Sequence, residues 1–67
     1  MLKDKLKYLR ERKGINQKEI ADYLNLTIAA YSHYEKGRRE PSIDIIRKIC
    51  KFYNISADDL LEIEQDD

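Results

Sequence analysis

The sequence predicts an all-α domain built from five short helices, and three observations support this prediction. Of the 67 residues, 42% are hydrophobic, whereas only two are glycine and one is proline. This composition is typical of a compact helical domain rather than of a disordered segment. Apolar residues recur three and four positions apart along most of the chain. Four residues of types that commonly cap helix N-termini stand before these repeats: Asn16, Thr27, Ser42 and Ser56.

The first helix is predicted over residues 2–13. Leu2, Leu6 and Leu9 are spaced four and three positions apart, which places them on one apolar stripe, and the rest of the segment is mostly basic. Gly14 follows as a left-handed cap. We expect the basic side chains of this helix to form an ordinary solvated face.

The second helix is predicted to start at Gln17. Asn16 and Glu19 have the spacing of a capping box, in which each side chain bonds to the backbone N–H of the other residue. The apolar repeat ends at Asn25, a residue type that tolerates the left-handed conformation found at many helix ends. A helix of about two turns is therefore expected here.

A third helix is predicted to follow at once, with Thr27 as its cap and Gly37 at its end. Because the connection is short and Ala21 is small, the two helices can pack at a steep angle as a helix-turn-helix. The buried side of the third helix is expected to carry Ala30, Tyr31 and Tyr34. Its exposed side is expected to carry Ile28, Ala29, Ser32, His33 and Lys36.

A fourth helix is predicted over residues 43–53, capped by Ser42 and ended by Asn54. Its apolar stripe predicts a core face made of Ile43, Ile46, Ile49, Cys50 and Tyr53. Ile45 and Phe52 fall off this stripe. One or both are therefore expected to remain exposed and available to a partner.

The pair Ser56 and Asp59 repeats the capping-box pattern and predicts a fifth helix over residues 57–63. We expect the five helices to form one domain over residues 1–63, followed by a short acidic tail over residues 64–67. A chain of this length leaves no room for a second, catalytic domain.

The formal net charge of zero hides an uneven distribution. Residues 1–54 contain all 13 Lys and Arg and seven Asp or Glu, a net charge of +6, whereas residues 55–67 contain six acidic residues and no basic one. A basic surface of this kind attracts phosphate groups. The acidic end is expected to lie away from such a partner, and an ordinary solvated tail is the alternative.

Several function classes are disfavoured. One histidine and one cysteine cannot supply a metal-ligand set or an internal disulfide. Cys50 is expected to be a small buried core residue, with a redox-sensing thiol as the alternative. The sequence contains neither a glycine-rich phosphate loop nor paired carboxylates in a plausible cleft, so we expect neither an enzyme nor a bound cofactor. No apolar run is long enough to span a membrane and no signal peptide is evident, so a cytoplasmic protein is expected.

The central stretch carries a longer motif, which consists of Gln17, Ile20, Ala21, Leu24, Leu26, Thr27, Tyr31, Ser32, Tyr34, Glu35, Gly37, Arg39, Pro41 and Ser42. This pattern resembles the helix-turn-helix of the lambdoid phage repressor and Cro family, also called XRE-like regulators, and the likeness runs from about Leu2 to Leu61. The resemblance implies a five-helix, lambda-repressor-like fold that binds double-stranded DNA, usually as a homodimer, with the third helix in the major groove.

The resemblance also implies roles for single residues. Arg10 matches an arginine that pairs with the glutamate matching Glu35. The predicted DNA-contacting residues are Asn16, Gln17, Thr27, Ile28, Ala29, Ser32, His33, Lys36, Arg38 and Arg39. The two adjacent arginines are well placed for phosphate because they lie beside the end of the third helix, and a merely solvated loop is the alternative. For His33, an exposed side chain without a role is the alternative. The predicted dimer contacts are Phe52, Ile55, Leu61 and Ile63, unless two or more of them complete the core.

The predicted function is that of a transcriptional regulator, a repressor that occludes a roughly palindromic operator with half-sites about 34–36 Å apart. Many relatives carry Gln, Arg or Asn at the positions of Ile28 and Ala29, and their absence here predicts A·T-rich half-sites read through thymine methyls and DNA shape. The alternative is a protein-binding module of the same fold, such as an antitoxin that grips a toxin through Ile45, Phe52 and the tail.

Overall fold

The computed structural model describes residues 2–61. This range contains five helices and no strand: α1 (Leu2–Lys13), α2 (Gln17–Tyr23), α3 (Ile28–Glu35), α4 (Ile43–Tyr53) and α5 (Ala57–Leu61). None of these helices is long and apolar enough to cross a membrane. The predicted all-α, five-helix fold is confirmed. The last two residues predicted for α5 and the acidic tail lie outside the described residues.

The first four helices end with the same backbone motif. A residue with a positive φ angle follows the last turn of each: Gly14 (73°), Asn25 (58°), Gly37 (72°) and Asn54 (56°). The N–H of the next residue then bonds to the carbonyl five positions earlier, over 2.9 to 3.3 Å. This is a Schellman motif, which needs a residue that accepts the left-handed conformation. The Gly and Asn positions in the sequence therefore predicted these four helix ends.

An apolar residue stands at three of the four ends in the position that often makes a hydrophobic contact in a Schellman motif. Ile15, Leu26 and Ile55 follow the left-handed residues of α1, α2 and α4, and each packs partly buried against the core. At the end of α3 the corresponding residue is Arg38, which is exposed. The end of α3 therefore departs from the pattern of the rest of the fold.

Every helix contributes to one core. The fully or almost fully buried apolar side chains are Leu6, Ile20, Ala21, Leu24, Tyr31, Ile49 and Leu60. α1 packs against α3 and α5, α2 packs against α3, and α4 packs against α5. The complete burial of Ala21 fits the close approach of α2 to α3 that the sequence predicted. Because Tyr31 is also fully buried, α3 is fixed through the middle of its inner face.

Two predictions for α4 are wrong. Ile43, predicted to face the core, is 69% exposed, because it is the first residue of α4 and the packing of this helix against the core begins at Ile45 and Ile46. Ile45 and Phe52, of which at least one was expected to remain exposed, are both half-buried and pack against the core. The ring of Phe52 is covered by Tyr23, whose centroid lies 4.8 Å away. The apolar stripe of α4 is thus rotated relative to the sequence-based prediction.

Candidate nucleic-acid interface

The helix-turn-helix is formed by α2, residues 24–27 and α3, and both of its helices start at a capped residue. The Asn16 Oδ1 atom accepts a hydrogen bond from the Glu19 N–H (2.9 Å), and the Thr27 Oγ1 atom accepts one from the Ala30 N–H (3.0 Å). Both predicted caps are confirmed. The return bond from Asn16 to the Glu19 carboxylate is not formed within residues 2–61, so the capping box is only half made.

The outer side of α3 is less open than the sequence predicted. The exposed residues among the predicted DNA contacts of this helix are Thr27, Ile28, Ala29 and Lys36. Ser32 and His33 are half-buried. The Nδ1 atom of His33 is buried without a hydrogen-bond partner in the described part of the chain. The accessible groups suited to contacting bases are therefore concentrated in the first turn of α3.

A bidentate ion pair fixes the other end of α3. Arg10 donates from Nε to Glu35 Oε2 (2.7 Å) and from Nη2 to Glu35 Oε1 (3.2 Å), and its Nη1 donates to the Ile15 carbonyl (3.1 Å). The side chain of Arg10 is 15% exposed and that of Glu35 is 5% exposed. The pairing implied by the family resemblance is confirmed. It ties α1 and the α1–α2 connection to the last residue of α3.

Gln17 joins the same carboxylate. Its Nε2 atom donates to Glu35 Oε1 over 3.2 Å, and its side chain is half-buried. The first residue of α2 is therefore tied to the last residue of α3 across the motif. This bond uses one of the two amide protons of Gln17 and leaves the other and the carbonyl oxygen. The phosphate contacts expected of Gln17 and of the exposed Asn16 remain predictions.

The charge state of this cluster follows from its surroundings. Burial on its own would raise the pKa of the Glu35 carboxyl, but its interactions with neighbouring groups, the hydrogen bonds from Arg10 foremost, outweigh burial and lower that pKa below its usual value. Burial, and then the adjacent Glu35 carboxylate, raise the pKa of the Tyr31 hydroxyl far above its usual value. At neutral pH, α3 is therefore held by an ionised glutamate and packed through a neutral tyrosine.

A basic loop follows α3. Arg38, Arg39 and Glu40 are exposed, and the Arg38 N–H donates to the His33 carbonyl (3.0 Å) in the Schellman motif. Cations near the C-terminal end of a helix are favoured by its dipole. Arg38 thus exposes a guanidinium at the position where the other three helix ends carry a partly buried apolar residue. Departures of this kind from the local folding pattern are expected at functional sites.

The predicted dimer residues are only partly accessible. Phe52, Ile55 and Leu61 are half-buried, and Phe52 and Ile55 pack against the core. Ile63 lies outside the described residues. Each of the three described side chains therefore combines a buried part with an exposed part, and a self-association surface here remains a prediction.

Cys50 is half-buried and packs against the core. Burial raises the pKa of its thiol above the usual value. Because the thiolate is the reactive form, this environment favours the core role over the redox alternative. Within residues 2–61, no group of His, Cys, Asp and Glu side chains is placed to hold a metal ion.

Sequence reasoning missed two features of α1. Lys3, assigned to a solvated face, lines a groove together with Lys36 and Arg39. Tyr8 is 51% exposed and accepts a hydrogen bond from Arg12 Nη1 (3.0 Å). The spacing of four between Tyr8 and Arg12 was a usable signal for the second feature. No short-range signal relates Lys3 to residues more than thirty positions away.

The sequence profile of the helix-turn-helix family matches residues 6–60. The chain is 36% identical over 62 residues to an SPbeta prophage-derived uncharacterized HTH-type transcriptional regulator of Bacillus subtilis. It is 31% identical over 61 residues to the cryptic phage CTXphi transcriptional repressor RstR of Vibrio cholerae. These alignments cover 92% and 91% of this chain but 57% and 55% of the two relatives, so the chain spans little more than half the length of either.

A crystal structure of a transcriptional regulator from Listeria innocua superposes with a TM-score of 0.94 and covers 100% of this chain and 63% of that chain. At 22% sequence identity, this likeness shows the fold. The family itself is shown by the profile match, which takes in the helix-turn-helix and all the contacts that hold α3. The chain therefore belongs to the XRE-like helix-turn-helix family.

Proposed function

We propose that this chain is the DNA-binding domain of a sequence-specific transcriptional regulator. In this proposal it binds a roughly palindromic operator as a homodimer and represses transcription by occluding the promoter. α3 lies in the major groove, where Thr27, Ile28 and Ala29 meet the base edges. The loop after α3 contacts phosphates through Arg38 and Arg39.

The observation that carries the proposal is the way α3 is held with its first turn exposed. Glu35 at its C-terminal end is bonded to Arg10 of α1 and Gln17 of α2, and Tyr31 in its middle is fully buried. A binding group must be held to within about 0.5 Å to act selectively. The three attachments hold the inner side of α3, while its capped first turn and the basic loop after it are exposed, which suits insertion into a groove flanked by phosphates.

The type of site follows from the exposed side chains. Ile28 and Ala29 cannot form the bidentate hydrogen bonds that each contribute about 1–3 kcal/mol of discrimination between base pairs. They can contact thymine methyl groups, and Thr27 can make a single hydrogen bond. We therefore propose A·T-rich half-sites in which DNA shape and phosphate geometry contribute much of the specificity.

The repressor role rests on the relative from Vibrio cholerae, whose name describes a transcriptional repressor. The dimer is supported by geometry. One domain presents a single reading turn, whereas two copies related by a two-fold axis would reach successive major grooves about 34–36 Å apart. Doubling the contacts also doubles the number of phosphates that are neutralised, which strengthens binding at physiological salt.

The decisive experiment selects bound sequences from a random duplex pool at low salt and measures the oligomeric state by sedimentation, with and without the selected duplex. We expect an enriched, A·T-rich inverted repeat and a complex of two chains per duplex. No enriched motif would refute the sequence-specific function. An enriched single half-site bound by one chain would refute the dimer and retain the DNA-binding role. In vitro transcription from a promoter overlapping the selected site tests repression directly.

Variants separate base reading from phosphate binding. Arg39→Gln should weaken binding to every sequence alike, and Arg47→Gln, an exposed change on α4, is its matched control. Ile28→Ala, which shortens an exposed side chain of the first turn, should reduce the preference for thymine at one position of each half-site. Ala29→Gln adds a bidentate side chain and should create a preference for adenine. If Ala29→Gln and Arg39→Gln changed affinity uniformly and to the same degree, α3 would not be the reading helix.

A further inference from the structure

A basic groove at the start of α1 adds Lys3, which the sequence did not assign to DNA, to Lys36 and Arg39, which it did. A groove of about 380 Å³ separates the first turn of α1 from the chain that follows α3. Three cationic side chains line it: Lys3 from α1, and Lys36 and Arg39 from the end of α3 and the loop after it. Glu40 also lines the groove, so the positive charges exceed the negative charge by two.

The backbone at Gly37 determines where the Lys3 side chain lies. Gly37 has a φ angle of +72°, and a Cβ atom built on it would stand 2.8 Å from the Cδ atom of Lys3. The aliphatic stem of Lys3 therefore crosses directly over the glycine, in space that any other residue would occupy. Gly37 thus has two roles, because it forms the left-handed helix end and also admits the stem of Lys3 into the groove.

This placement distinguishes Lys3 from the other lysines of α1. The Lys7 side chain is exposed and lines no groove with the α3 loop, whereas the stem of Lys3 packs against that loop. Within residues 2–61, no carboxylate forms a salt bridge with Lys3, Lys36 or Arg39. The three cations are therefore available to one shared anion.

We propose that this groove binds one backbone phosphate of the DNA duplex and that Lys3 is a DNA-contacting residue. The inference rests on the proposed function, because the groove continues the phosphate-facing loop that begins at Arg38. A phosphodiester carries one negative charge, which the surplus of two positive charges in the groove more than neutralises, whereas a neutral ligand would leave that surplus uncompensated. In this arrangement α1, through Lys3, and the end of α3 with its loop, through Lys36 and Arg39, contact the same phosphate.

The experiment compares Lys3→Gln with Lys7→Gln, which removes the same charge from the same helix outside the groove. Binding to a mixed-sequence duplex of about 20 base pairs is measured as a function of salt. Each lost phosphate contact should reduce the slope of log K against log salt by about 0.9 and the affinity about eight-fold at 0.1 M salt. Glu40→Gln should have the opposite effect and tighten binding, because it removes the carboxylate from the groove.

A direct contact is tested by replacing single phosphates of the duplex with uncharged methylphosphonates. One replacement should weaken the wild type and the Lys7→Gln variant by the same factor but weaken Lys3→Gln by a smaller factor, because Lys36 and Arg39 still contact that phosphate. Circular dichroism melting of each variant verifies that the fold is retained. If the wild type binds duplex and the two lysine variants have equal salt slopes, the phosphate groove is refuted and the proposed function stands. If the wild type binds no duplex at low salt, both are refuted.

Discussion

Removing Arg10 tests how α3 is held, and the structure specifies both the size and the pH dependence of the effect. Arg10→Ala leaves the Glu35 carboxylate, whose side chain is 5% exposed, with Gln17 as its remaining side-chain hydrogen-bond donor. Breaking a buried pair by removing one partner costs about 3–5 kcal/mol, and the 15% exposure of Arg10 places this pair near the lower end of that range. A loss of about 3 kcal/mol lowers the melting temperature of a domain this small by about 12–24 °C.

The sign of the pH dependence gives a sharper test. In the wild type the pKa of Glu35 is lowered, so its contribution to stability is present above the unfolded-state pKa and is lost as pH falls through the folded-state pKa. In Arg10→Ala the burial remains while the strongest counteracting bonds are gone, so the pKa rises instead. Acid then relieves the cost of the unpaired charge in the variant.

The assay is urea unfolding of both proteins at pH 7 and at about pH 4, near the ordinary pKa of glutamate. The difference in unfolding free energy between wild type and Arg10→Ala should shrink at the lower pH. Arg12→Ala, an exposed change on the same helix, is the control and should cost less than about 0.5 kcal/mol. Equal losses for Arg10→Ala and Arg12→Ala, or a difference that stays constant with pH, would refute the reasoning.

Three further predictions concern single residues. Thr27→Ala removes the α3 cap and should cost about 1 kcal/mol in urea unfolding, whereas Thr27→Ser should be nearly neutral. Asn54→Gly should keep stability within about 0.5 kcal/mol, because φ is 56° there, whereas Asn54→Val should destabilise by more than about 1 kcal/mol in the same assay; equal effects would contradict a left-handed helix end. Cys50 should react with iodoacetamide more slowly in the folded than in the urea-unfolded chain, because burial raises its thiol pKa, and equal rates would contradict this.

The helix boundaries could be predicted because they depend on neighbours in sequence. Ser42 and Asn54 set the start and end of α4 through bonds to residues three to five positions away, and the residue types carry that information. The same applies to Asn16 and Thr27 at the starts of α2 and α3. In each of these cases the local chemistry was sufficient, and tertiary packing did not override it.

The orientation of α4 could not be predicted as well, because an apolar stripe does not specify which edge of it meets the core. Ile43 and Ile49 are both on the stripe, yet Ile43 is 69% exposed and Ile49 is fully buried. The orientation of the helix also depends on contacts with other elements, such as that of Phe52 with the ring of Tyr23. Such contacts join separate parts of the chain, and the periodicity of the α4 sequence does not predict them.

In the candidate site, too, some contacts could be predicted from the sequence and others could not. The pair between Arg10 and Glu35 was expected from the family resemblance, and its geometry confirms it. The bond from Gln17 to the same carboxylate and the passage of Lys3 over Gly37 were not expected. Both bring together residues eighteen or more positions apart, and each depends on side-chain conformations that composition and spacing leave undetermined.

In this fold the residues that position α3 are separate from those available to read DNA. Glu35 is bonded to α1 and α2 and Tyr31 is fully buried, whereas Ile28 and Ala29 are exposed. Substitutions at exposed positions away from caps and packed contacts usually change stability by no more than about 0.5 kcal/mol. The proposed reading turn can therefore change its sequence preference without loss of the fold. The side chains of this turn are thus not a requirement of the structure, and under the proposed function they are set by the DNA site.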